Sequence, residues 1–60
     1  MTEYRVMVKA KHGKHYQCYG HHTESRYADK NAESLARQLW TEKVKVVVDD
    51  GCTKEELSYK

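Results

Sequence analysis

The chain has 60 residues, a formal net charge of +2 and no proline or phenylalanine. A chain of this length forms at most one domain with a thin core, so residues 1–60 are predicted to form a single small domain. Ordering the chain costs about 1.5 kcal/mol per residue, which hydrophobic burial barely offsets. We therefore expect neither an enzyme with an enclosed pocket nor a small-molecule substrate, a cofactor or a catalytic residue.

The composition also predicts the compartment. The longest apolar run is three valines, far below the roughly 20 residues that span a bilayer. The first residues lack the basic and apolar regions of a signal peptide. We therefore expect a cytoplasmic protein that binds no membrane, with Cys18 and Cys52 as free thiols in a reducing environment.

The first two elements are predicted to form a β-hairpin. Residues 3–10 alternate between apolar and polar side chains, as is typical of a half-buried strand. Residues 14–20 alternate in the same way, and Gly13 lies in the short loop between the two runs. In the second strand, Tyr16 and Cys18 are expected on the core face.

The hydrophobic period then changes to that of a helix. Apolar residues recur at helical spacing over residues 28–42 and form one stripe, which ends at Leu39 and Trp40. Residues 43–49 are rich in valine and predict a third strand. The tail at 51–60 contains a capping-box pattern and is expected to be frayed or to form one helical turn.

The element order β-β-α-β predicts an α+β fold. A single crossover places the third strand beside the first, which gives a three-stranded antiparallel sheet of order 2-1-3 with the helix packed on one face. The other face and two strand edges stay open, and such surfaces are where a small fold binds its partners.

The open sheet face and an edge strand are the predicted binding site for a host protein or for a second copy of the chain. Met7, Tyr19 and Val47 are expected at its centre, because protein interfaces typically have an apolar or aromatic centre and a polar rim. The predicted partner-binding residues are Arg5, Met7, Lys9, His15, Gln17, Tyr19, Lys45 and Val47.

An alternative function follows from the charge pattern. Segment 4–22 contains basic residues and all four histidines but no acidic residue. This asymmetry favours a small nucleic-acid-binding protein in which cations contact phosphates and an aromatic ring stacks on bases. The residues of this alternative site are Arg5, Lys9, Lys11, Lys14 and Tyr19.

Histidines and cysteines are also the ligands of zinc. His12, His15, Cys18 and His21 recur at every third position. On a strand this spacing points neighbouring side chains to opposite faces. No metal site is therefore predicted, and the histidines are expected to be surface groups.

The order of these motifs resembles that of small bacteriophage-encoded host-takeover proteins. A hairpin with the segments Tyr-Arg-Val-Met-Val and Tyr-Gln-Cys-Tyr precedes the helical segment Ala28–Trp40, and a valine-rich strand ends in Asp-Asp-Gly. Over residues 4–49 the pattern is similar to the family of small phage inhibitors of bacterial RNA polymerase. The resemblance implies a β-β-α-β fold and a non-enzymatic inhibitor of a host protein, and it carries over no site residue.

The chain can also be compared with two other classes of small protein. Phage inhibitors of uracil-DNA glycosylase are similar in size and element order, but they are acidic mimics of DNA, whereas this hairpin is basic. A toxin or antitoxin component is a third alternative, for which the sequence offers no discriminating residue.

Overall fold

Four strands and one helix make up the fold in the computed structural model, which describes residues 2–60; Met1, the first residue of the predicted domain, lies outside the described residues. In chain order the elements are β1 (Glu3–Ala10), β2 (Gln17–His22), α1 (Ser25–Ala36), β3 (Thr41–Asp49) and β4 (Lys54–Ser58). All neighbouring strands pair antiparallel, in the order β2-β1-β3-β4. The α+β class and the antiparallel sheet are confirmed, but the prediction of three strands is wrong because a fourth extends the sheet beyond β3.

The tail forms strand β4 rather than a frayed end or a helical turn. Residues 50–53 reverse the chain, and Gly51 adopts a φ of +95° that favours glycine. The Asp50 carboxylate accepts hydrogen bonds from the backbone N–H groups of Thr53 at 2.7 Å and Cys52 at 2.9 Å. These bonds hold the pKa of Asp50 below its ordinary value. Turn chemistry and pairing with β3 thus outweigh the capping-box pattern.

Helix α1 begins and ends earlier than the predicted span of 28–42. Its end is fixed by the buried residue Thr41, whose hydroxyl donates to the carbonyl oxygens of Leu35 at 3.0 Å and Gln38 at 2.8 Å. The last carbonyls of a helix have no partner within it, so these bonds stabilise its end. The predicted last helical turn is therefore part of the connection to β3, which begins at Thr41 instead of residue 43.

The core lies between α1 and the sheet. Its buried apolar members are Val6, Val8, Ala28, Ala32, Val44 and Val46. Because α1 ends before Leu39 and Trp40, these predicted core residues are 85% and 41% exposed. Helix α1 packs over β1, β2 and β3 and leaves β4 uncovered. No helix among the described residues is both long and apolar enough to cross a membrane.

Strand β2 passes close beneath α1 at Gly20. A Cβ atom at this position would collide with the side-chain amide of Asn31. That amide lies 3.1 Å from Nε2 of His22, on the same strand. The missing side chain of Gly20 thus allows the helix to contact the hairpin through one polar pair.

Candidate functional site

The sheet has one face that α1 does not cover, and we call it the open face. The register places five of the eight predicted partner-binding residues on it, with Arg5 opposite Val47, Met7 opposite Lys45, and Lys9 opposite Lys43. Met7 and Val47 are only half-buried there. These two side chains supply a small apolar area in the middle of a charged surface.

The remaining three predicted residues, His15, Gln17 and Tyr19, do not join this centre. Strand β2 begins at Gln17 instead of residue 14, so His15 lies in the preceding loop. Gln17 pairs with Val8, a core residue, which places Gln17 on the helix-covered side. Tyr19 is the additional residue of a β-bulge and lacks a direct partner in the register.

The alternation of β2 is thus opposite to the predicted one. Cys18, expected in the core, pairs with Met7 and is exposed on the open face. Tyr16, also expected in the core, precedes the strand and is half-buried. The Lys45 ammonium lies 4.3 Å from the centroid of the Tyr16 ring, a cation–π contact that brings the β1–β2 loop over the open face.

Acidic residues from outside segment 4–22 neutralise three cations of the open face, Arg5, Lys9 and Lys45, and leave Lys43 unpaired within residues 2–60. The ion pairs are Arg5–Glu3 at 3.2 Å, Lys9–Glu42 at 2.9 Å and Lys45–Glu56 at 3.2 Å. Two of these carboxylates, those of Glu42 and Glu56, belong to β3 and β4, which follow the hairpin much later in the chain. An acid-free segment in sequence therefore does not produce an acid-free surface on this face.

Positive and negative side chains are instead concentrated at opposite ends of the molecule, along the direction of the strands. One end of the molecule, which we call the basic end, comprises residues 9–16 and 37–43 together with Lys60, whose ammonium donates to Gln38 and Thr41. It carries six cationic side chains and one carboxylate, that of Glu42. The cations are Lys9, Lys11, Lys14, Arg37, Lys43 and Lys60.

The opposite end, which we call the acidic end, comprises residues 2–5, 22–29 and 48–56. Its carboxylates are those of Glu3, Glu24, Asp29, Asp49, Asp50, Glu55 and Glu56. The three cations of this end all lie in ion pairs, namely Arg5–Glu3, Arg26–Glu24 and Lys54–Asp49. Thr41 and Asp49, at the two tips of the nine-residue β3, belong to opposite ends and lie about 27 Å apart.

Several cations of the basic end are available to a ligand. Among residues 2–60, Lys11, Lys14 and Lys43 take part in no ion pair. The hydrogen bond and the positive charge of Lys9, together with Lys43 and Lys11, lower the pKa of Glu42. The single carboxylate of this end is thus surrounded by cations, and the net charge there stays positive.

Exposed apolar side chains accompany these cations. The rings of Tyr19 and Trp40 lie with their centroids 5.5 Å apart and are inclined at 42°. The two residues are 46% and 41% exposed. Lys11 donates its backbone N–H to the Trp40 carbonyl at 3.0 Å, which places the aromatic pair beside the basic loop.

The sequence pattern missed Trp40 and Lys43 as members of this surface. Trp40 fits the apolar stripe of the helix, and Lys43 was placed only at the start of a strand. The available signal was Thr41, a β-branched residue that favours a strand. It lies out of phase with the alternation of β3, because the register with β1 shifts between Lys9 and Ala10.

The histidines and cysteines do not converge. No group of three or more His, Cys, Asp or Glu side chains within residues 2–60 is arranged to hold a metal ion. Cys18 and Cys52 are both exposed and unbridged. His21 lies 3.5 Å from a carboxylate oxygen of Glu3, at the opposite end of the sheet from the loop that holds His12 and His15.

Comparison with known proteins assigns no family to the chain. No protein family, curated protein or solved structure matches it. The candidate site therefore depends on the geometry and charge of the basic end and on its exposed aromatic pair.

Proposed function

We propose that this chain is a non-enzymatic protein that binds single-stranded nucleic acid at its basic end. The observation that carries the proposal is the exposed Tyr19–Trp40 pair within a surface of six cations and one carboxylate. Proteins that bind single strands combine a positively charged surface, which follows the phosphates, with aromatic rings on which bases stack. The basic end offers both.

The phosphate contacts are assigned to the lysines that have no partner in the protein. Lys11, Lys14 and Lys43 lose no ion pair when they bind a phosphate, whereas Lys9 would have to leave Glu42. Each phosphate that is neutralised releases counterions, and this release drives binding. The unpaired lysines therefore supply most of the electrostatic attraction.

The aromatic pair favours a single strand over a duplex. Bases in a duplex are stacked on one another and present only their edges, while bases of a single strand can stack on exposed rings. Trp40 and Tyr19 contact each other at an incline and keep about half of their surface exposed. One or two bases can stack against the exposed ring surfaces.

The acidic end sets the orientation. Its carboxylates repel phosphates, and all except that of Glu56, which pairs with Lys45 on the open face, lie away from the cations of the basic end. A bound strand is therefore confined to one end of the molecule and does not run along the strands of the sheet. In the setting that the phage resemblance implies, the ligand is nucleic acid in a bacterial cytoplasm.

The test is a titration of a fluorescently labelled 12-nucleotide single strand and of the matching duplex, read by fluorescence anisotropy. We expect the single strand to bind at least about tenfold more tightly, because stacking contributes about 1–3 kcal/mol per base. Equal affinity for the two ligands, or no binding of the single strand at low salt, would overturn the proposal.

A second candidate is a host-protein interface on the open face, and it is supported by the half-buried Met7 and Val47. Its charged rim is already paired within the sheet, which reduces the attraction to a charged partner. Affinity capture from a bacterial lysate, with and without nuclease, separates the candidates. A nuclease-resistant protein band that is lost with Val47→Lys supports the host-protein interface, and capture that nuclease abolishes supports the nucleic-acid site.

A further inference from the structure

A groove lies between α1 and β4. It has a volume of about 290 Å³. Its residues are Tyr4, Ser25, Arg26, Ala28, Asp29, Val46, Leu57 and Tyr59. The groove exists because α1 covers the other three strands but not β4, and Leu57 is consequently 48% exposed.

An apolar projection lies at the other end of the molecule. Leu39 is 85% exposed, the highest value among the large apolar side chains of the described residues. It lies in the turn between α1 and β3, beside Trp40 and between Arg37 and Lys43 in the chain. At this exposure, little of the Leu39 side chain packs against the rest of residues 2–60.

The groove and the projection belong to ends of opposite charge. Five of the eight groove residues belong to the acidic end, namely Tyr4, Ser25, Arg26, Ala28 and Asp29, whereas Leu39 lies at the basic end. Opposite potentials attract two surfaces and fix their orientation, while two like ends repel each other. A second copy of the chain presents an apolar side chain that can fill the groove, together with charge of the opposite sign.

We propose that this protein associates head to tail, with Leu39 of one copy seated in the α1–β4 groove of the next. Each copy offers one projection and one groove, so the contact is heterologous and extends into open chains. The proposal does not depend on nucleic-acid binding. However, the nucleic acid and the second copy of the chain both bind at the basic end. A bound single strand is therefore expected to compete with the second copy.

Two substitutions test the projection and the groove separately. Leu39→Ser removes the projection without a change in charge, and Leu57→Lys places a cation in the groove, where it repels an incoming basic end. Both positions are exposed, and lysine is well tolerated on an edge strand. Urea unfolding of each variant verifies that the fold is retained.

The experiment is sedimentation velocity over a concentration series up to about 1 mM. We expect the average mass of the unmodified protein to rise with concentration above the 7.1 kDa of one chain and to fall as salt is raised from about 0.05 to 0.5 M. Each folded variant alone should remain monomeric. Their equimolar mixture should reach twice the mass of one chain and no more, because it contains one intact groove and one intact projection per pair.

Three results would overturn the proposal. The first is an unmodified protein that stays monomeric over the whole series. The second is association that either folded variant retains alone. The third is a mixture that stays monomeric although the unmodified protein associates, since this pattern requires a symmetric interface. None of these results bears on nucleic-acid binding, which the anisotropy titration measures separately.

Discussion

The indole ring of Trp40 lies against the phenol ring of Tyr19, with 5.5 Å between their centroids, although the two residues come from different elements of the fold. The bulge in β2 and the early end of α1 together produce this contact. It gives the basic end an aromatic surface that neither the hairpin nor the helix has by itself.

Trp40→Ala is expected to weaken binding of a labelled single strand by about 5- to 150-fold, since base–aromatic stacking is worth about 1–3 kcal/mol. Anisotropy measures this loss without tryptophan emission. The matched control is Tyr27→Ala, because Tyr27 is 50% exposed but lies near the start of α1, at the acidic end. Equal losses for the two variants would argue against a stacking site at Trp40.

Replacing Lys11, Lys14 and Lys43 together by glutamine should flatten the salt dependence of binding. For single strands, the slope of log K against log salt is about −0.7 for each phosphate contacted, so the triple variant should lose about 2 from the slope. Lys30→Gln is the control, because this exposed lysine of α1 lies at neither charged end. An unchanged slope in the triple variant would show that phosphates are bound elsewhere.

Local patterns predicted much of the fold and little of the site. The alternation of β1 and the valines of β3 reflect burial on one face, and the structure shows both strands. Strand β4 was missed because all five of its residues are exposed, so it has no apolar alternation to detect. The C-terminal end of α1 was missed because the Thr41 hydroxyl, beyond the helix, bonds to the carbonyl oxygens of Leu35 and Gln38, and the apolar period does not reveal these bonds. The charged ends depend on strand order, which composition does not encode.

Thr41→Val should lower the free energy of unfolding by about 1 kcal/mol, because it removes the hydrogen bonds of the buried hydroxyl to the carbonyl oxygens of Leu35 and Gln38. Thr41→Ser keeps the hydroxyl and should recover most of this loss. Urea denaturation of the two variants measures the difference. If the Thr41→Val variant is as stable as the Thr41→Ser variant, the hydroxyl does not stabilise the end of α1.

Tyr59 links the tail to the helix, and its contribution to stability should depend on pH. Its hydroxyl donates to the Asp29 carboxylate at 2.7 Å, and this bond, with burial, raises the pKa of Tyr59 from 10.0 to about 12. The stabilisation is therefore complete below pH 10 and is lost as pH rises through about 12. Tyr59→Phe should lower the free energy of unfolding by about 1 kcal/mol at neutral pH. Urea titrations should show that this gap in stability between the variant and the unmodified protein closes in alkali. A gap that stays constant would contradict the assigned bond.

Gly20→Ala should destabilise the fold by about 1–3 kcal/mol, because the added methyl group displaces Asn31 from His22. In an Asn31→Ala background the same substitution should cost much less. A double-mutant cycle in urea measures this coupling. Additive effects would mean that the two residues do not compete for space.

The most direct test of the central claim uses Trp40, the single tryptophan of the chain, as its own reporter. Tryptophan emission is recorded while an unlabelled oligothymidylate is added at several salt concentrations. Stacking at the basic end predicts that emission is quenched on binding and that log K falls with log salt at a slope of about −2, the value for the three phosphate contacts of Lys11, Lys14 and Lys43. Emission that does not change at saturating oligonucleotide, or an affinity that is independent of salt, would contradict the claim.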